Sequence, residues 1–228
     1  MAINIWKALL YKKYTLKSKA YQILFIGGAA FFICVLSLIP FQLNGSGPVQ
    51  LSLTNFLSII VFLFISCGLL SGQIEINYHE SIQLGLLVGS KSKTIFYSLT
   101  VEVMDYIFQS FFIFGMINVL YGVLYSGQEI QILRMLSFVL GGCTFAFLAY
   151  FLTLCFESAM IALAILLIFP LIISPYLERM FPNTVPLVIY NAITASINSS
   201  QFGISHWYLF ILLILVIALT YLQFRKQA

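Results

Sequence analysis

Glu102 and Asp105 are the side chains of this sequence best placed to do chemistry in an apolar setting. They stand three residues apart, on one face of a helix, and are the only charges in the 32-residue stretch Thr94–Tyr125. A carboxylate at the centre of a bilayer costs about 2.5–3.5 kcal/mol on insertion scales, so an acid held there defaults to a functional role, here the charged mouth of a translocation path. Length arithmetic supplies a competing account. A 32-residue helix is roughly 48 Å long against about 30 Å of hydrocarbon, and Tyr106–Tyr125 alone offers an uncharged span. The expectation is therefore a partly wet pair near the inner boundary, close to Lys91 and Lys93, with the path mouth as the alternative.

The other reactive residue types do not converge. His79 and His206 fall on opposite sides of the membrane in the topology derived below. Cys34, Cys67, Cys143 and Cys155 each sit inside an apolar run, where a thiol behaves as a small hydrophobe, so neither a disulfide framework nor a metal site is expected. Gly85-Leu-Leu-Val-Gly-Ser90-Lys91-Ser92 nearly spells a nucleotide-binding loop, but Ser90 replaces the second glycine and no strand precedes it. H-E-x-x-H and G-x-S-x-G are absent from the sequence, so the chain itself is not expected to be an enzyme.

The elements that position these residues follow from composition. Of 228 residues, 61% are hydrophobic and 8% charged, with mean hydropathy +1.03, whereas soluble domains carry about 25% charged residues. The expected fold class is an all-α integral membrane protein of one domain, residues 1–228, with no room for a fused soluble enzyme. Six nearly uncharged stretches read as spans: Tyr21–Gln42, Leu51–Ile74, Thr94–Tyr125, Met135–Phe156, Ser158–Leu177 and Trp207–Phe224. Met135–Leu177 would make a helix of roughly 65 Å if continuous, so it must fold back as a hairpin around Glu157 and Ser158.

Six spans put both termini on one side. With that side cytosolic, Lys7, Lys12, Lys13, Lys17, Lys19, Lys91, Lys93, Arg225 and Lys226 are inside, and only Arg134 and Arg179 of the 11 basic residues are outside. The same distribution speaks against nucleic acid, because the charges follow topology and form no patch. Residues 1–20, with Ile3, Trp6, Leu10 and Tyr14 on one side, read as an amphipathic helix on the cytosolic face of an anionic bilayer. Residues 178–206 are apolar yet flanked and interrupted by Pro170, Pro175, Pro182 and Pro186, and read as short re-entrant or interfacial helices on the outer face.

The inner connection, residues 76–93, is the most informative. Tyr78, Ile82 and Leu86 recur at four-residue spacing, an apolar stripe on about three turns of helix with Glu80 and Gln83 beside it. Gly89 can close that helix, and Ser90 or Ser92 can cap the next. Such a stripe serves equally to dock a partner or to rest on the membrane surface.

Taken together, the basic amphipathic N-terminus, six spans, the acidic-then-small inner helix and the apolar excursion before the last span resemble the permease subunits of type-2 ABC exporters. In that family the second connection carries a glutamate, a small residue, an apolar stretch and a basic turn. Glu80, Ser81, Leu84–Val88, Gly89-Ser90-Lys91 and Lys93 are similar to it, although the usual proline and arginine of the turn are absent. The short length looks most like bacterial permeases for amphipathic peptides such as lantibiotics and phenol-soluble modulins. The resemblance implies a multi-pass protein of the bacterial plasma membrane that couples to a cytosolic ATP-binding subunit through Tyr78, Glu80, Ser81, Ile82, Leu86 and Gly89. It also implies two copies of that subunit, which would bind ATP and magnesium, leaving no cofactor in this chain, and a second permease, identical or related. Two alternatives have similar length: the substrate-capture subunit of a vitamin importer, which would pack through small residues such as Gly27-Gly-Ala-Ala30, and a secondary transporter, which calls for buried charges near mid-membrane.

Overall fold

The computed structural model describes residues 53–78, 91–124, 132–168, 176, 179–180 and 202–227. The expected N-terminal helix 1–20, the span Tyr21–Gln42, most of 178–206, and Glu80, Ser81, Ile82, Leu86 and Gly89 lie outside the described residues. Five helices and no strand are found among the residues described: α1 (Leu53–Tyr78), α2 (Lys91–Leu124), α3 (Ile132–Phe156), α4 (Ala159–Ile168) and α5 (Ile204–Gln227). Two of them, over Met135–Phe156 and Ile204–Lys226, are long and apolar enough to cross a membrane.

Helix α3 is the hub and touches all four others. Its buried residues include Ser137, Phe138, Cys143, Phe145, Ala146, Phe147, Ala149, Tyr150 and Leu154. A helix is one of the few backbones a bilayer tolerates, since every amide bonds within the segment. The hydroxyls obey the same accounting. Thr144 Oγ1 donates to the Leu140 carbonyl (2.7 Å), Thr153 Oγ1 to Ala149 (2.8 Å), and on α5 Thr220 Oγ1 to Val216 (2.7 Å).

Small residues set the α1–α3 distance. A Cβ added at Gly68 would collide with the Ala146 carbonyl oxygen, and one at Gly72 would stand 2.7 Å from Thr153 Cβ. The two glycines lie four apart, the spacing that lets helices approach through their backbones. One turn away Phe64 meets Phe138 edge-on at 5.6 Å, and a Cβ at Gly142 would press on the Phe64 ring.

These contacts also fix directions. Phe64, Gly68 and Gly72 meet Phe138, Ala146 and Thr153 in rising order, so α1 and α3 run parallel. Phe114 meets Phe138 and Tyr106 meets Phe147, so α2 is antiparallel to α3. At one end of α5 His206 bonds Ser137, and at the other Phe224 meets Tyr150, which makes α5 parallel to α3. The Ser92 and Tyr221 hydroxyls, 2.7 Å apart, join the start of α2 to the end of α5. Lys91, Lys93, Arg225 and Lys226 thus share one end of the bundle, and Arg134 begins at the other.

The chain reverses between α3 and α4 at Glu157 and Ser158, where the length arithmetic puts the turn. Glu157 adopts φ 50°, the left-handed conformation that ends helices and that is usually given to glycine. Ser158 caps α4: its Oγ accepts from the Ile161 N–H (3.5 Å) and its carbonyl from the Ala162 N–H (3.2 Å). From α1, Gln73 Oε1 accepts the Ala159 N–H at 3.2 Å, so a third helix satisfies another first-turn donor.

Helix α5 opens with a reciprocal cap. Gly203 O accepts from the His206 N–H (3.1 Å), and His206 Nδ1 accepts the Gly203 N–H (3.2 Å). Histidine thus fills the role that glutamate or glutamine takes in a capping box. Phe202, just before the cap, packs on Trp207 at 5.6 Å, as a hydrophobic staple does.

Candidate functional site

The two acids named from the sequence sit in the first half of α2. Thr94, Ile95 and Leu99 are buried, so one face of the first turns of α2 packs into the bundle, while Ser92, Lys93 and Phe96 on the other faces are exposed. Asp105 is 2% exposed, and the adjacent Tyr106 meets the Phe147 ring at 5.1 Å and 89°. Phe147 lies near the middle of the apolar stretch Met135–Phe156. Asp105 therefore lies beside the middle turns of α3. Within the bundle Asp105 is enclosed by protein and Glu102 is half-buried.

Around Asp105 the structure assembles a polar seam between α1, α2 and α3. Gln109 Nε2 donates to Asp105 Oδ2 at 3.0 Å, one turn along the same helix. Tyr106, fully buried, has its phenol among Glu102, Asp105, Ser71 and Cys67, the last two from α1. Ser71 and Glu75 lie one turn apart on α1 and are buried, and Ser110 Oγ donates to the Tyr106 carbonyl at 2.7 Å. The seam concentrates acceptors: the two carboxyls of α2 and the Gln109 amide oxygen, which accepts no hydrogen bond among the described residues. Such a lining binds protons, cations or the polar side of an amphipathic cargo, and repels anions.

Sequence reasoning singled out Glu102 and Asp105 but passed over Ser71, Glu75, Tyr106 and Gln109. A signal was present. Ser71 and Glu75 are four apart near the end of α1, and Asp105 and Gln109 are four apart on α2, so each pair marks a polar helix face.

Of the residues named for coupling, Tyr78 is the last residue of α1 and the others fall outside the described residues. The helix ends that flank them, Tyr78 and Lys91, both belong to the basic end of the bundle.

His206 has a partner that sequence could not supply. Its imidazole is 1% exposed, with Nε2 2.8 Å from Ser137 Oγ. Because Nδ1 accepts the Gly203 N–H, the neutral ring carries its proton on Nε2 and donates it to Ser137. A serine nucleophile needs the opposite polarity, with the ring accepting the hydroxyl proton, so this pair is a clasp between α3 and α5. Among the described residues no group of three or more His, Cys, Asp or Glu is placed to hold a metal ion. No protein family model and no curated protein matches the chain.

Proposed function

We propose that this chain is the membrane-spanning subunit of an ATP-driven exporter of the bacterial plasma membrane, with six spans, both termini cytosolic, and an amphipathic, peptide-like cargo. The observation that carries the reading is the common position of Tyr78 and Lys91 at the basic end of the bundle. The segment 79–90, whose apolar stripe continues through Ile82 and Leu86, joins two helices there. Force applied to that segment would act directly on α1 and α2, the helices that contribute Ser71, Glu102 and Asp105 to the polar seam. ATP hydrolysis belongs to a separate cytosolic subunit present in two copies, and a second permease, identical or related, completes the path.

The test is Ile82→Asp. Wild-type protein tagged and purified from its host membranes should bring down an ATPase. Burying an unpaired charge at a docked helix costs several kcal/mol, and each 1.4 kcal/mol is tenfold in affinity, so the variant should lose that ATPase at least tenfold while still inserting. Co-purification at wild-type yield with intact transport sinks the coupling role.

A secondary transporter is the second reading, and the burial of the Asp105 carboxyl inside the bundle favours it. The two separate cleanly: ion-driven uptake or efflux in vesicles without ATP, and without any co-purifying ATPase, selects the secondary transporter.

A further inference from the structure

At the basic end, α3 and α5 border a cavity of about 540 Å3, lined by Phe151 of α3 and by Leu219, Leu222, Gln223, Arg225 and Lys226 of α5. The volume is that of about eighteen water molecules at ~30 Å3 each, too large for a single hydrated ion to fill and open on one side. Its lining is ordered along the helix. Leu219 and Leu222 line the part toward the middle of α5, and Arg225 and Lys226 line the part formed by its last turn. From Leu219 to Lys226 is roughly 10 Å of helix, comparable to the depth over which a bilayer passes from headgroup to acyl chain. Both cations are exposed, and among the described residues neither is engaged in an ion pair. Leu222, half exposed, presents apolar surface to the same opening.

We propose that this cavity is a binding site for an anionic phospholipid of the leaflet at the basic end, with its phosphate between Arg225 and Lys226 and the first part of an acyl chain against Phe151, Leu219 and Leu222. Basic pockets between spanning helices on the cytoplasmic side suit such headgroups. The apolar wall beside the cations distinguishes a lipid from free phosphate, which would gain nothing from Leu219 or Leu222. The site depends on α5 crossing the bilayer but not on ATP-driven transport, so its test contains no transport readout.

Native mass spectrometry of the full chain, titrated with phosphatidylglycerol and with phosphatidylcholine of matched acyl chains, tests it. Wild type should retain phosphatidylglycerol in preference to phosphatidylcholine. Replacing both cations, R225Q with K226Q, should weaken phosphatidylglycerol about 30-fold, as two surface cations predict. Leu222→Trp keeps both charges but fills the cavity, and should weaken the same lipid at least tenfold. Equal retention of the two lipids, wild-type binding by either variant, or displacement of phosphatidylglycerol by millimolar inorganic phosphate would overturn the proposal.

Discussion

The hydroxyls of Ser92 and Tyr221 stand 2.7 Å apart, although 129 residues separate them in the chain. That contact brings the first turn of α2 against the last turns of α5 and collects four cations at one end of the bundle. It also orients α2 and α5 relative to one another before any membrane is invoked.

The orientation is open to direct labelling. In a background lacking the four native cysteines, Lys91→Cys and Lys226→Cys should both resist an impermeant thiol reagent in intact cells, and Arg134→Cys should react. Cysteines at Asn44 and Asn183 should behave like position 134. Reaction at 91 or 226 with protection at 134 would invert the bundle.

Gly68 and Gly115 offer a controlled comparison within one protein. At Gly68 any Cβ meets the Ala146 backbone, whereas at Gly115 it meets open space. Gly68→Ala should lower the thermal midpoint in detergent by the equivalent of about 1–3 kcal/mol, the usual cost of overpacking. Gly115→Ala should be neutral or stabilising by up to about 1 kcal/mol, since it removes a helix-interior glycine. Equal effects would mean that α1 and α3 are not in backbone contact.

The Gln73 bridge is tested by Gln73→Met, which preserves length and loses the acceptor for the Ala159 N–H. We expect a loss of about 1 kcal/mol, together with faster hydrogen exchange at Ala159. Unchanged exchange at that amide would show that the bridge does not hold the hairpin.

For the acids, Asp105→Asn preserves shape and can keep a hydrogen bond to Gln109, so the bundle should fold and assemble normally. Transport should fall by tenfold or more if the seam is the conduit. Glu102→Gln, at a half-buried position, should have the smaller effect. Full activity in the Asp105 variant would reduce the seam to a structural network.

How much of this was legible beforehand depends on whether the deciding contact is local. The reversal at Glu157 and Ser158 was readable because helix length and membrane thickness are both fixed quantities. The burial of Asp105 was not. A 34-residue helix can pack on its neighbours in several registers, and burial of Asp105 goes with the one in which Tyr106 meets Phe147, a contact across 41 residues. The close approach at Gly68 and Gly72 is written in the sequence as two small residues four apart, yet attention to Gly27–Ala30 missed it. The cap of α5 hid because a histidine stands where a carboxylate or amide side chain is expected.

The central position of α3 has a consequence in time. Gly68 leaves the ribosome 78 residues before Ala146, the atom group it packs against. At about 5–20 residues per second, α1 waits roughly 4–16 s for its partner surface to be synthesised. Throughout that interval its glycine face is uncovered, a window in which an insertase must shelter α1 or a membrane protease can seize it. Slowing translation between positions 78 and 146 should therefore lower the yield of folded protein more than an equal delay placed after position 156.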